Sequence, residues 1–96
     1  MRRGYVPHPW WIRLGAPCTG LYAEDADAEA LRHMLGCMGI EPSPVPTEGT
    51  STFYGFAPMD TFAADEADMK AVMRCVRLTG LHGTMRKAGT DRKWKF

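Results

Sequence analysis

The fold is decided by residues 52–78, which read TFYGFAPMDTFAADEADMKAVMRCVRL. The first six of them, Thr52–Ala57, carry aromatic side chains on both faces at period two, and this pattern predicts a strand. The turn that begins at Pro58 then predicts a helix, because the side chain of Asp60 or Thr61 can accept hydrogen bonds from the N–H groups of a first turn. Acids follow this start and arginines lie near the end, as the helix dipole favours. The stretch therefore predicts one strand followed by one helix.

The residues before this stretch predict a first strand and a first helix. Trp10–Leu14 is a short apolar run that favours a strand, whereas Gly15–Tyr22 contains glycine and proline and predicts a loop. Helix one is expected over Asp25–Met38, and Gly39 should end it. Four apolar residues at helical spacing share one face of this helix: Ala28, Leu31, Leu35 and Met38.

The segments on either side of the strong strand predict the edges of a sheet. Ile40–Pro46 has proline at every second position from 42 to 46, so it can be extended but cannot supply a continuous row of N–H donors. After helix two, which Gly80 should end, Leu81–Lys87 is a candidate strand. The turn Ala88–Asp91 leads to a basic, aromatic tail, Arg92–Phe96, which is a candidate for a returning hairpin strand.

This order of elements predicts a fold class. Strand, helix, strand, strand, helix and strand form two successive strand-helix-strand units, as a ferredoxin-like α+β sandwich requires. In that βαββαβ fold an antiparallel sheet carries both helices on one face, and the tail would add a strand. We expect residues 1–96 to form a single domain, with residues 1–9 as a basic arm and residues 88–96 as a basic aromatic tail or edge strand. A function is expected on the face without helices.

The composition is that of a globular protein, with 45% hydrophobic residues. The chain has no apolar run of the roughly 18 residues that a membrane-spanning helix needs, and its first residues lack the apolar stretch of a signal peptide. The three cysteines, Cys18, Cys37 and Cys75, are an odd number without close pairing, which favours a reducing compartment over a disulfide framework. We therefore expect a cytoplasmic protein that does not bind a membrane.

The net charge of +1 hides a segregation of charge along the chain. Residues 1–20 carry three arginines and no acid, residues 21–69 carry ten acids against Arg32, and residues 70–96 carry eight basic residues against Asp91. Helix capping is one explanation, since acids favour helix starts and bases favour helix ends. A polarised binding surface is the other. The chain also has no Asn and no Gln, which excludes chemistry that needs a side-chain amide.

Three fragments of the chain resemble RNA-recognition-motif domains. YGFA at residues 54–57 resembles the core of that family's first ribonucleoprotein motif, an aromatic, Gly or Ala, an aromatic and an aliphatic residue. LRHML at 31–35 with GI at 39–40 is similar to its first helix and the Gly-x-Ile that follows. LHG at 81–83 is similar to the Leu-x-Gly before its last strand. The resemblance implies three base-stacking aromatics on the open sheet face: Tyr54, Phe56 and Trp11.

Two kinds of partner follow from these residues. A basic groove with aromatic platforms holds single strands without reading their bases. The basic residues available for it are Arg86, Lys87, Arg92, Lys93 and Lys95. The motif, however, has Thr52 and Phe53 where a basic residue and glycine usually stand, and degenerate members of the family commonly bind proteins through the same scaffold. Aromatic anchors for a protein interface are Trp10, Trp11, Tyr54, Phe56 and Trp94.

Metal binding and catalysis find less support in the sequence. His33 and Cys37 are four residues apart on helix one and could share an ion, but further donors such as Cys18, Cys75 and His82 are scattered singly. We therefore assign these side chains to packing and expect no metal and no cofactor. Neither serine lies in a Gly-x-Ser-x-Gly setting, and no phosphate-binding loop is present, so we expect no enzyme activity.

The sequence thus predicts a non-catalytic protein-binding module, a small adaptor or stoichiometric inhibitor of the kind that phages and mobile elements encode to act on a host complex. The alternative is a domain that binds single-stranded RNA or DNA through the open sheet face. The two predictions differ in their use of charge, because phosphate contacts make binding strongly salt-dependent and an aromatic protein interface does not.

Overall fold

The computed structural model describes residues 9–96, apart from the side chain of Ala16, and these residues form five strands and two helices. In chain order the elements are β1 (Trp10–Glu24), α1 (Asp25–Cys37), β2 (Ser43–Pro46), β3 (Ser51–Ala64), α2 (Glu66–Thr79), β4 (Gly83–Lys87) and β5 (Lys93–Lys95). The predicted N-terminal arm, residues 1–9, lies outside the described residues except for Pro9.

The strands form one antiparallel sheet in the order β2-β3-β1-β4-β5. Without β5 this is the order of a ferredoxin-like sandwich, in which the first strand of each strand-helix-strand unit lies in the centre. α1 and α2 contact each other, and both contact β1 and β3. The predicted fold class is therefore confirmed, with the C-terminal hairpin strand as a fifth strand at one edge.

β1 is longer than the sequence predicts. The expected loop over Gly15–Tyr22 is part of this strand, which runs for 15 residues to Glu24. Its pairing with β3 shifts register between Arg13 and Cys18 and again between Cys18 and Gly20. Such bulges take up residues that do not fit a regular ladder and increase the local twist. The glycines and the proline that favour a loop are therefore accommodated inside an irregular strand.

β3 is also longer than predicted, and this moves the start of α2. The strand spans Ser51–Ala64, so the predicted turn and helix cap at Pro58–Thr61 are wrong. Pro58 is tolerated because it falls in the irregular part of the pairing with β1, beyond the residues that pair with β2. The actual cap is Asp65, whose side chain accepts a hydrogen bond of 2.8 Å from the N–H of Asp68.

The helices otherwise follow the predictions closely. α1 spans Asp25–Cys37, and the predicted core residues Leu31 and Leu35 are fully buried. α2 ends at Thr79 and is capped by Gly80, as predicted, and the positive φ of 86° at this position favours glycine. Acids lie in the first turn of each helix, and Arg77 lies in the last turn of α2. Helix capping therefore accounts for part of the charge segregation along the chain.

The edges of the sheet are also as predicted. β2 is an exposed edge strand paired with β3, with Val45 opposite Phe53. Because two of its four residues are prolines, this edge offers few N–H donors to a further strand. At the other edge β4 and β5 form the hairpin expected from the C-terminal tail, with Met85 opposite Trp94.

The core lies between the helices and one face of the sheet. Ile12 of β1 and Phe62 of β3 are fully buried, and they belong to the same cluster as Leu31 of α1 and Val72 of α2. Burial of one such side chain contributes about 1.5–3 kcal/mol to stability. This core also determines which side chains of the sheet point away from the helices.

Two polar side-chain contacts join α1 to α2. The guanidinium of Arg74 donates hydrogen bonds of 2.7, 3.0 and 3.2 Å to the carboxylate of Asp27, which is only 7% exposed. His33 of α1 likewise contacts the carboxylate of Asp68, which is 8% exposed. The helices are therefore fixed to each other by charge as well as by apolar packing.

Candidate functional site

One face of the sheet carries no helix, and we call it the open face. Along β1 the side chains of Trp10, Ile12 and Leu14 are buried towards the helices, so Trp11 and Arg13 point the other way. Both are exposed to solvent, and Trp11 is 41% exposed. The alternation of β1 therefore places one aromatic and one cationic side chain on the open face.

Neighbouring strands place further polar and basic side chains around Trp11. Trp11 lies opposite Arg86 of β4, and Arg86 lies opposite Lys93 of β5. Arg13, two residues along β1, is flanked by threonines of β3 and β4. Together they line a shallow cavity of about 310 Å³ on the open face. Its lining residues are Trp11, Arg13, Thr61, Thr84, Arg86 and Lys93.

Two cations of this cavity lie where like charges are expected to repel each other. Arg86 and Lys93 are directly opposite in an antiparallel pair, a position where like charges are destabilising. Within residues 9–96 no acid lies at salt-bridge distance from either of them. Arg13 has a partner in Asp60 at 3.9 Å, but both groups are exposed and such a pair contributes little. An anionic ligand would relieve this repulsion.

A second aromatic group lies at the far end of the open face. Because Leu21 is buried in the core, Tyr22 beside it points away from the helices. Tyr22 and Phe53 are opposite each other, with ring centroids 5.0 Å apart. Phe53 lies over the backbone of Gly20, where an added Cβ would be 2.2 Å from the ring. Tyr22 escapes sequence-based prediction because its segment has the composition of a loop.

Two of the three aromatics predicted to stack on bases, Tyr54 and Phe56, face the helices instead. Tyr54 is 6% exposed, and the guanidinium of Arg32 on α1 lies 5.7 Å from its ring centroid. Phe56 packs edge to face on the buried ring of Phe62, with centroids 5.8 Å apart. The prediction that these two rings lie on the open face is therefore wrong. Phe53 is the open-face aromatic of this segment, because the register of β3 decides which alternate residues are buried.

Trp10 and Trp94, also predicted as partner-binding residues, contact each other on the helical side of the sheet. Their ring centroids are 5.5 Å apart, and Nε1 of Trp10 donates a hydrogen bond of 2.9 Å to Glu66. Lys87 lies 5.5 Å from the ring of Trp10, and Arg92 lies 5.2 Å from the ring of Trp94. These two cations therefore cover aromatic rings instead of lining the open-face cavity. Of the predicted site residues, that cavity contains Trp11, Arg86 and Lys93.

The helical side carries a second basic surface between α2 and the β4-β5 hairpin, which we call the helix groove. It has a volume of about 500 Å³. Its floor is apolar and consists of Met69, Met73, Met85, Trp94 and Phe96. Its rim is basic and consists of Lys70, Arg74, Arg77 and Lys95. In the part of the chain that the structure describes, only Arg74 of these four has an acidic partner, Asp27.

A group of polar side chains lies where α1 meets α2. The carboxylate of Asp68 contacts Nδ1 of His33, and Nε2 of the same ring is 3.8 Å from Sγ of Cys37. The hydrogen bond to Asp68 and its charge raise the pKa of His33. Of the other predicted donors, Cys18 is buried, and burial raises the pKa of Cys75 to about 11. Asp68 could not be found from spacing because it comes from the other helix.

No protein-family model matches the chain, and no curated protein or solved structure matches it. Across residues 9–96, neither helix is long and apolar enough to cross a membrane. The candidate function therefore depends on the geometry of the open face and the helix groove.

Proposed function

We propose that this protein is a non-catalytic binding domain of the cytoplasm that holds single-stranded RNA or DNA on its open face. One observation carries the proposal. An exposed indole, Trp11, lies beside Arg86 and Lys93, two cations that face each other without an acid between them. Single-stranded nucleic acid supplies both groups that this arrangement lacks, a flat base for the ring and phosphates for the cations.

A bound strand would cross β1, β4 and β5. One base stacks on Trp11, and stacking of this kind contributes about 1–3 kcal/mol. Arg86 and Lys93 contact phosphates, with Arg13 as a third cation at the other end of the cavity. The two threonine hydroxyls can donate to phosphate or sugar oxygens. Because the chain has no Asn or Gln to read adenine edges, binding should depend weakly on base sequence.

The test is the affinity of a labelled, mixed-sequence single strand of about 12 nucleotides, measured by fluorescence anisotropy over a range of salt concentrations. Three phosphate contacts should lower the affinity by about 2 log units for each tenfold rise in salt. Arg86→Ala removes one of these contacts, so the slope should fall by about 0.7. The affinity at low salt should fall with it.

Lys87→Ala is the matched control for this change. Lys87 is the next residue of β4 and carries the same charge, but it lies over Trp10 on the helical side. Its removal should leave both the affinity and the salt slope close to those of the wild type. If Arg86→Ala and Lys87→Ala reduce binding equally, the strand is attracted by net charge and the open-face site is refuted.

A protein partner is the second candidate, because the helix groove fits a different ligand. Its floor of three methionines and two aromatic rings can adapt to apolar side chains, and its lining contains four cations and no acid. The occupant that matches both features is an acidic amphipathic helix of a partner protein. In this role the domain is an adaptor or a stoichiometric inhibitor, and its assignment to phages or mobile elements is an analogy.

The second candidate is tested with a designed amphipathic peptide that carries Leu at i, i+3, i+4 and i+7 and Glu elsewhere. A peptide with Lys in place of Glu is the control for apolar contact alone. The acidic peptide should bind more tightly, and the double change Lys70→Glu and Arg77→Glu should reverse this preference. Equal binding of both peptides, or a preference that survives the charge reversal, would exclude the groove as a site for acidic helices.

A further inference from the structure

The His33 ring at the junction of α1 and α2 is held by a carboxylate on one side and faces a thiol on the other. Asp68 is 8% exposed, and among the described residues its carboxylate has one partner, Nδ1 of His33. When Nδ1 donates its proton to this carboxylate, Nε2 of the neutral ring keeps its lone pair. A carboxylate behind a histidine is the arrangement that orients metal-binding imidazoles in proteins.

The distance between Nε2 and the thiol fits a shared cation. Nε2 of His33 is 3.8 Å from Sγ of Cys37. Ligands at the usual zinc distances, about 2.0–2.1 Å for nitrogen and 2.3 Å for sulfur, lie about 3.6 Å apart at a tetrahedral angle. The four-residue spacing brings both onto one side of α1. Because both side chains are exposed, small rotations can close the remaining difference.

We propose that Nε2 of His33 and Sγ of Cys37 bind one divalent cation such as Zn²⁺, with Asp68 orienting the imidazole from behind. This reverses the expectation from the sequence that both side chains only pack. Imidazole and thiolate are ligands that select zinc and cobalt over magnesium and calcium. The remaining coordination positions face solvent, so water completes them. The site is independent of the two binding surfaces proposed above.

A carboxylate site on the other ring nitrogen is the competing arrangement. Donor atoms of His33, Asp65 and Asp68 lie within 4.8 Å of one another. Asp65, however, already caps α2 by accepting the N–H of Asp68, and ligation by its oxygen would weaken that cap. Asp68 in turn already accepts from His33. On the side of the ring that faces Cys37, a cation displaces only the weak hydrogen bond between the thiol and Nε2.

The experiment is a titration of the full chain with Co²⁺, because cobalt bound to thiolate absorbs strongly in the near ultraviolet. It is run at pH 8, because binding of the cation requires Nε2 of the ring and the thiol to be deprotonated. We expect a sulfur-to-cobalt band that saturates at one ion per chain and disappears when Zn²⁺ is added.

Two variants separate this site from its competitor, with circular dichroism to confirm that each stays folded. Cys37→Ser should abolish the sulfur band, while the buried Cys18 and Cys75 remain as internal controls. Asp68→Asn should keep the band and weaken Co²⁺ binding about 10–100-fold, an effect that helix packing alone would not produce. The proposal is overturned if the wild type shows no sulfur band, if the band persists in Cys37→Ser, or if that variant binds Co²⁺ with unchanged affinity.

Discussion

The open face and the helix groove lie on opposite sides of the same β4-β5 hairpin. They differ in the uncharged side chains that lie next to their cations. On the open face, Arg86 and Lys93 lie beside one exposed indole and threonine hydroxyls. In the groove, Lys70 and Arg77 lie at the rim of a continuous floor of methionine and aromatic side chains. The rims are alike in charge, so charge alone does not assign a ligand. An isolated flat ring suits a base, whereas an apolar strip suits the side chains of a helix.

This difference arises from the alternation of side chains in very short strands. β5 has three residues, and its central Trp94 lines the helix groove while Lys93 lines the open-face cavity. In β4, Met85 and Arg86 divide in the same way. In these two pairs, Met85 with Arg86 and Lys93 with Trp94, adjacent residues line different surfaces, so variants of the paired positions can test one surface against the other.

The largest effect is expected from a substitution in the core, because unfolding would remove both binding surfaces. Leu31→Ala should lower the free energy of unfolding by about 2–5 kcal/mol, because Leu31 is fully buried in the core that positions the whole sheet. Urea denaturation followed by circular dichroism measures it. Leu78→Ala deletes the same atoms from a helical residue that is 45% exposed, and should change stability by less than about 0.5 kcal/mol. Similar losses at both positions would show that the core is assigned wrongly.

Effects of intermediate size should show whether the two surfaces bind different ligands. Trp11→Ala removes the stacking ring and should weaken binding of the single strand by about 1–3 kcal/mol, without changing binding of the acidic peptide. The double change Lys70→Ala and Arg77→Ala should weaken binding of the acidic peptide and leave binding of the single strand unchanged. Both ligands are measured at about 0.15 M salt, where exposed charges separated by more than about 8 Å are largely screened. If either variant weakens both ligands equally, the two surfaces act as one site.

The smallest expected effect is a gain in the stability of the protein, caused by a substitution on the open face. Arg86→Glu turns the like-charge pair with Lys93 into an opposite-charge pair and should raise the free energy of unfolding by about 0.2–1 kcal/mol. The same change should abolish binding of the single strand.

The gain in stability of Arg86→Glu should shrink at about 1 M salt, where the screening length is about 3 Å. Lys87→Glu, the control on the other face, should give no gain because it removes the cation over Trp10. A destabilised Arg86→Glu would show that the cations of the cavity do not repel one another appreciably.

The parts of the fold that the sequence predicts are those set by local signals. The period of α1, the prolines of β2 and the positive φ at Gly80 all depend on a few neighbouring residues. The lengths of β1 and β3 depend on pairing instead. Pro58 and the glycines of Gly15–Tyr22 are loop signals in isolation, but the bulged register between the two strands accommodates them.

The candidate site is predicted only in part, for the same reason. Trp11, Arg86 and Lys93 are named from the sequence, and the structure places them in one cavity. Arg13 and the two threonines join them only through the strand register. Phe53 and Tyr54 are adjacent aromatics, so either phase of the strand would bury a ring, and only tertiary packing decides between them.

Gly83 joins the β4-β5 hairpin to β1, and its missing side chain limits how this sequence can diverge. An added Cβ would lie 2.1 Å from the carbonyl oxygen of Arg13, whereas at Gly49 it would meet nothing within 4 Å. On its other side Gly83 exchanges two backbone hydrogen bonds with Phe96, at 3.0 and 3.3 Å. A larger residue would push the hairpin away from β1. Residues at the rims of the two surfaces can therefore be replaced without moving the hairpin, whereas position 83 cannot carry a side chain while β4 stays paired with β1.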